Sequence, residues 1–215
     1  MKISHRYLFD MKEVLFDREW VKRQKRNFVL YEMRREVKVN GTLRYDVTKI
    51  YGRMLGKEFS KTFGHYHPGG FPEIYEVLKG RAIFLLQKPV RMDSRKIIHA
   101  IAVHAEKGTQ VVIPPRYGHV TINPSRKVLV IANIVSSRFS SNYAPYKKFG
   151  GACYFFTKNG WVKNENYRVQ NLEKREAGRI YEEDLKELID NYEKIFWLEK
   201  PKKFPEKLLG KTGKR

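Results

Sequence analysis

Between Phe28 and Lys163 the chain is cut into short apolar runs, each closed by glycine, proline or an Asn-Gly pair, and that rhythm leaves few folds open. In Phe28–Val39, Val29, Tyr31 and Met33 alternate with Leu30, Glu32 and Arg34, the two-residue period of a strand. Asn40-Gly41 supplies the dipeptide favoured in tight hairpins, and Leu43–Tyr51 returns as the partner. Gly52 and Gly56 break the chain before Glu58–Phe63. Arg81–Gln87, Ile97–Val103, Gly108–Pro115, Val120–Ile122 and Val128–Val135 continue the series, with Lys88–Arg95 as a charged connection. Ala152–Phe156 and Trp161–Lys163 flank a second Asn-Gly turn at Asn159-Gly160. Short strands with turns at this frequency predict a mainly β chain, folded as an antiparallel barrel or jelly roll.

The ends differ in character. Residues 1–26 read as helical or irregular, with Asp17 capping a short helix that runs to Val21. Beyond Tyr167 the strand rhythm stops. Glu182–Leu198 sets Leu185, Leu188, Ile189, Tyr192, Ile195 and Phe196 at helical spacing, with acids crowding the first turn, which predicts an amphipathic helix. Lys200–Arg215 is strongly basic and reads as a solvated tail pinned by Phe204 and Leu208-Leu209. The expected division is a barrel over 1–167 and, over 168–215, a helical extension with a basic tail that is not an independent domain.

Chemistry concentrates in one stretch, Lys61-Thr-Phe-Gly-His-Tyr-His-Pro-Gly-Gly-Phe-Pro-Glu-Ile-Tyr-Glu-Val-Leu-Lys-Gly80. His65 and His67 lie two apart, so on an extended strand both rings leave one face. Glu73 opens a new apolar run after a Pro- and Gly-rich turn, a layout that suits a second strand folding back beside the first. His119, after Pro114-Pro115-Arg116-Tyr117-Gly118, is the candidate fourth ligand. A lone His-Xaa-His is a weak signal, as common in surface or core histidines as in ligands. Here the chain has six histidines, and three of them fall on the ligand positions of two separately spaced motifs. Three imidazoles and a carboxylate hold a first-row divalent ion while leaving positions for water or substrate. Such an ion activates dioxygen, polarises a carbonyl, or is structural. The ligand set alone does not choose.

Composition narrows the class. At 215 residues with 41% hydrophobic and 13% aromatic side chains, the chain is long and apolar enough for one good core. No apolar run approaches the ~20 residues of a membrane helix, and Met1-Lys-Ile-Ser-His carries no secretory apolar segment. Cys153 is the single cysteine, so no internal disulfide framework exists and a reducing cytoplasm is the expectation. The formal charge of +21 admits nucleic acid as a minority partner. Against that reading stand the absence of a helix-turn-helix, zinc-finger or RNP-type pattern and the sufficiency of a solvated basic surface.

His-Xaa-His-Xaa5-Glu-Xaa6-Gly over His65, His67, Glu73 and Gly80 resembles the first motif of the cupin superfamily. Gly-Xaa5-Pro-Xaa4-His-Xaa3-Asn over Gly108, Pro114, His119 and Asn123 resembles the second. Gly56-Lys-Glu-Phe-Ser-Lys-Thr62-Phe-Gly64-His65-Tyr-His67, with Glu73-Ile-Tyr75, is similar to the signature of the cupin-type glucose-6-phosphate isomerases of archaea; the likeness extends over about residues 8–163. The resemblance implies a metal-dependent interconversion of glucose 6-phosphate and fructose 6-phosphate, a step of glycolysis and gluconeogenesis, through a cis-enediol. It implies one divalent ion on His65, His67, Glu73 and His119, iron first, with nickel, manganese or zinc as alternatives. It implies Tyr31, Thr48, Thr62 and the Gly64 backbone at the sugar phosphate, Glu73 as base with Tyr75 lining the sugar, and a homodimer. A metal-assisted hydride shift would leave Glu73 a ligand only. Arg116 stands where cupins usually have glycine. Val135 and Ser141 stand where some of these isomerases place a tyrosine and a histidine, while Tyr143 is kept. The rival readings are a cupin acting on another sugar, a dioxygenase, and a non-catalytic basic cupin that binds nucleic acid.

Overall fold

The two-residue alternation becomes sheet almost throughout the computed structural model, which describes residues 1–208. Leu209 and the rest of the expected basic tail, 209–215, lie outside the described residues. In chain order the strands are β1 (Lys2–Tyr7), β2 (Val29–Asn40), β3 (Leu43–Ile50), β4 (Met54–Leu55), β5 (Glu58–Phe59), β6 (Glu73–Lys79), β7 (Arg81–Val90) and β8 (Asp93–Glu106). They continue as β9 (Gln110–Ile113), β10 (Gly118–Ile122), β11 (Leu129–Ser136), β12 (Tyr154–Thr157), β13 (Gly160–Lys163), β14 (Arg168–Val169) and β15 (Leu172–Glu176). The helices are short: α1 (Arg18–Lys22), α2 (Ala144–Phe149), α3 (Leu185–Leu188) and α4 (Tyr192–Ile195).

The chain is mainly β, as the rhythm of its turns requires. A six-stranded sheet runs β1-β2-β3-β11-β6-β9, and a second runs β10-β7-β8-β14 with β15 also on β8. A small third sheet joins β13-β12-β5-β4. The ladders do not merge into one closed barrel. The first two sheets instead enclose the main core, where Leu30, Ile50, Val111, Ile113 and Ile131 of one meet Phe84, Leu86, Val103 and Val120 of the other. The hairpin signalled by Asn40-Gly41 forms, with Asn40 paired to Leu43 and Gly41 at φ +60°. Asp17 caps α1, its side chain accepting from the Trp20 N–H.

Three expectations are corrected. Lys2–Tyr7 is a strand paired antiparallel to β2, within the stretch read as helical or irregular. It lies at a sheet edge with almost every side chain exposed, so it carries no apolar alternation to read. Lys88–Arg95 is no loop. β7 and β8 run on to a turn at Arg91-Met92, past the core, where exposed charged residues hide the strand period. The amphipathic helix over Glu182–Leu198 is broken into α3, α4 and a 3-10 turn at Phe196–Leu198. Asn191 leaves the helical region at φ −98°, ψ 73°. The break lets Trp197 and Leu198 join Leu185, Leu188, Ile189 and Ile195 in a second core on the outer face of the six-stranded sheet, against Tyr45, Ile74, Val112 and Ile134. A straight helix would have left part of that set in water.

Side-chain hooks fix this segment. Gln110 accepts from the N–H groups of Ile180 and Tyr181, Glu76 accepts from Leu185 N–H, and Asn40 donates to the Ile189 carbonyl. Among the described residues no helix is long and apolar enough to cross a membrane.

Candidate metal centre

The four candidate ligands arrive from two facing layers. His119 sits in β10, and the extended segment before it in sequence bridges to that strand at His65, whose N–H and carbonyl exchange hydrogen bonds with His119 at 3.3 and 3.1 Å. Glu73 and Tyr75 stand two apart on β6, in the opposite sheet. The expected hairpin between the His65–His67 stretch and the Glu73 strand is therefore not formed: β6 pairs with β9 and β11 instead. The turn at Pro68–Gly70, with Gly69 and Gly70 at positive φ, carries the chain across from one layer to the other.

Ligand atoms of His65, His67, Glu73 and His119 lie within 4.8 Å of one another, a group that could hold a metal ion. His67 Nδ1 is 2.8 Å from the Phe71 carbonyl and must donate to it, which leaves the Nε2 lone pair aimed inward. That nitrogen is 3.1 Å from His65 Nε2 and 3.5 Å from Glu73 Oε2, and His119 Nε2 is 3.2 Å from the same oxygen. Glu73 Oε2 is buried with no hydrogen-bond partner among the described residues. A buried carboxylate oxygen facing three imidazole nitrogens is costly unless something positive sits between them. The donor set fits a divalent ion.

The protonation states agree. Burial, then the charges of His119 and His67 and of Arg35 and Arg44, holds His65 well below its ordinary value. Burial also lowers His67, to about 4, against the opposing pull of Glu73. Both rings are neutral at pH 7, the form in which imidazole can ligate a metal. Burial pushes the Glu73 carboxyl up, but the nearby imidazoles of His119 and His67 outweigh it, and the group ends below the usual carboxylate range. Burial and the Glu73 charge push Tyr75 well up, so its hydroxyl, 3.2 Å from His119 Nε2, stays protonated.

One pocket takes in every residue expected at the metal and the sugar phosphate: Tyr31, Thr48, Thr62, Gly64 and Tyr75 line it together with the four candidate ligands. Strand alternation explains the set. Tyr31 on β2, Thr48 on β3 and Glu73 and Tyr75 on β6 all face inward. Thr62 Oγ1 accepts from the Thr121 N–H at 3.0 Å, leaving its hydrogen to donate into the pocket. Tyr31 accepts from the Phe63 N–H at 3.3 Å, and its pKa is raised, burial outweighing the nearby Arg6. Gly64, at φ +88°, is needed for packing as well. A Cβ there would lie 2.4 Å from the Tyr146 ring and 2.6 Å from Val120. Val135, Ser141 and Tyr143 also line the pocket, whereas Arg116 does not line it.

Sequence reasoning missed Arg35, Arg44, Asp46, Asn133 and Phe139. Asn133 donates to Glu73 Oε1 at 2.7 Å and so fixes which oxygen faces the imidazoles. Its signal was an amide in the middle of the apolar run Leu129–Val135. Phe139 packs on the His67 ring, centroids 4.4 Å apart. Arg35 and Arg44 looked like ordinary exposed positions of two alternating strands.

Comparison with known proteins supplies the relatives. The family model described as glucose-6-phosphate isomerase (GPI) matches residues 8–172. The glucose-6-phosphate isomerase of Thermococcus litoralis is 31% identical over 167 residues, 75% of this chain and 84% of that one. That of Thermococcus gammatolerans is 32% identical over 162 residues, 74% and 82% of the two chains. Among solved structures, a cupin-2 domain containing protein from Shewanella frigidimarina aligns at TM-score 0.32 and 16% identity, covering 47% of this chain and 78% of that one.

Proposed function

Since this chain belongs to the glucose-6-phosphate isomerase family, we propose that it interconverts glucose 6-phosphate and fructose 6-phosphate with one divalent metal ion on His65, His67, Glu73 and His119. The observation that carries the reading is the union, in one pocket, of those ligands with the hydroxyls of Tyr31, Thr48 and Thr62. Held by those four residues, the ion would supply Lewis-acid charge at the sugar's carbonyl end. Iron is our first assignment, on the family resemblance, with nickel, manganese or zinc as alternatives.

The remaining steps fall to the chain's own groups. The hydroxyls of Tyr31, Thr48 and Thr62 donate to the phosphate oxygens, with the Gly64 backbone beside them. Tyr75, kept protonated by burial and by Glu73, donates toward the sugar. Glu73, oriented by Asn133, takes the proton from C2 of the open-chain aldose and returns it to C1, while the hydroxyl proton passes from O2 to O1, so that the sugar goes through a cis-enediol with no net gain or loss of protons. Phe139 and Phe71, stacked 5.3 Å apart beside His67, keep water from that end. We place the enzyme in the cytoplasm, in glycolysis and gluconeogenesis, as a homodimer.

The test is a coupled assay of glucose 6-phosphate formation from fructose 6-phosphate, on protein stripped with chelator and reloaded separately with iron, nickel, manganese or zinc. Turnover restored by at least one ion supports the reading; no turnover with any of them refutes it.

A further inference from the structure

We propose that the groove behind the turn at Pro68–Gly70, walled by Lys88, Arg116 and Lys202, is a second binding site, one that takes a small molecule carrying a diphosphate group. It is separate from the pocket that holds the candidate metal ligands, and the two share no lining residue.

Three parts of the chain meet there. Pairing of Gly118 on β10 with Gln87 on β7 brings Lys88 beside Tyr117, and the Lys88 ammonium stands 5.6 Å from the centre of the Tyr117 ring. The turn contributes Gly69 and Gly70. A Cβ on Gly70 would come within 3.3 Å of Arg116 Cγ, so the bare glycine leaves room for the arginine stem. The far wall is formed by Lys202, Phe204 and Glu206, in the segment that follows the family match. Phe204 is held edge-on against the buried Trp197, centroids 5.5 Å apart. The groove has about 390 Å³ of room, within the roughly 300–1,000 Å³ usual for small-molecule sites.

Arg116 singles this groove out. It adopts φ +68°, and with Glu36 it is one of two non-glycine residues at positive φ among those described. That backbone conformation is unfavourable for any residue with a Cβ. The Arg116 side chain is exposed and makes no hydrogen bond or ion pair among the described residues, so no internal pairing offsets the strain. Lys88 and Lys202 likewise have no carboxylate partner there. Three cations thus face one acid, Glu206, along the groove. Tyr117 beneath them is fixed, its hydroxyl 2.7 Å from His99 Nδ1. His99 Nε2 donates in turn to Glu173 at 3.0 Å, and Glu173 also accepts two N–H groups of Arg175, so its charge is not free to neutralise the groove. A guanidinium fork takes two phosphate oxygens at once, and two ammonium groups serve as point charges for a second phosphate. Tyr117 and Phe204 leave apolar surface for an organic remainder.

The probes are inorganic pyrophosphate and ADP, which separate a free diphosphate from a nucleotide one. Each is titrated by calorimetry into metal-loaded protein at about 0.15 M salt, where distant surface charges are screened, with metal content assayed before and after. At least one probe should bind at one site per chain, and the tighter of the two identifies the source. Arg116→Gly removes the guanidinium and suits the backbone, so it should weaken binding about tenfold or more without lowering the thermal unfolding midpoint. Arg116→Lys should keep part of the affinity. Lys202→Gln should weaken binding several-fold, which brings the C-terminal segment into the site. Arg126→Gln, at an exposed arginine that does not line the groove, should change nothing. Failure of both probes to bind wild type at millimolar concentration overturns the proposal. So does an affinity undiminished in both Arg116→Gly and Lys202→Gln. An equal loss in Arg126→Gln overturns it too, because binding would then answer only to the net charge of +21.

Discussion

Replacing Glu73 by glutamine changes the centre more than the near-identical size suggests. In the native arrangement Oε1 accepts from Asn133 Nδ2 at 2.7 Å, and Oε2 faces His119 and His67 at 3.2 and 3.5 Å. A glutamine has one oxygen for these two places. Setting its NH2 against the NH2 of Asn133 buries two donors face to face, at a cost of about 1–3 kcal/mol. The amide therefore turns its oxygen to Asn133 and its NH2 to the imidazoles. The ligand oxygen is lost, and the negative charge and the proton-accepting lone pair go with it. Metal affinity should fall by more than the roughly 10–100-fold that outer-shell changes cost.

Turnover measured on fully metallated Glu73→Gln, with metal content assayed in the same sample, should fall by about 10²-fold or more, the scale of a lost general base. The Michaelis constant should move far less, because Tyr31, Thr48 and Thr62 are untouched. Near-wild-type turnover in metallated protein would refute the assignment of Glu73 as base, and a hydride shift between C1 and C2 would then be the better account.

Other consequences are smaller in scope. Asn133→Ala removes the hydrogen bond that orients Glu73 and should weaken metal binding about 10–100-fold with the fold intact, read by competition with a chromophoric chelator. In metal-free protein, His67 should make stability depend on pH. Its folded value of about 4 lies below the ordinary 6.5, so the unfolded chain binds the extra proton, and stability is complete above pH 6.5 and lost as pH falls toward 4. The loss is about 3 kcal/mol for this group. Urea unfolding across that window should show a flatter profile in His67→Gln, and equal slopes would remove His67 as the cause. Trp197→Ala should cost about 3–5 kcal/mol by thermal unfolding, since the ring is fully buried in the second core and its Nε1–H donates to Tyr181 at 3.1 Å.

What was legible in the sequence is what lies in local periods. Alternation marked β2 and β3 as strands, the family resemblance picked Tyr31 and Thr48 out of them, and motif spacing put His65, His67, Glu73 and His119 in one group. What was not legible depends on which layer a strand joins. The turn at Pro68–Gly70 reads equally well as a hairpin between neighbours and as a crossing between layers, and the structure takes the second. Asn133, Arg35 and Arg44 were invisible for a related reason. A polar residue in a half-buried strand has the same period whether it faces a pocket or water, and only pairing decides.

The segment beyond residue 172 shows how the same physics misleads at longer range. Its apolar residues keep a helical period, which on one straight helix gathers them along a single stripe. The surface it covers is a sheet face, built from Tyr45, Ile74, Val112, Ala132 and Ile134 on four strands. A sheet face is broad, and a single stripe leaves part of it wet. The chain covers more of it by breaking at Asn191, so that α3, α4 and the turn at Phe196–Leu198 each lay down a different patch, with Leu208 closing the set. Lys38 and Asn40 at the end of β2 reach across to Lys186, Asp190 and Ile189, which fixes the segment to the strand hairpin that also carries Arg35 and Arg44. Since the family match ends at residue 172, the outer face of the site-bearing sheet is closed by residues outside that match. Packing on one face of the sheet and the pocket on the other therefore bear on the same two strands.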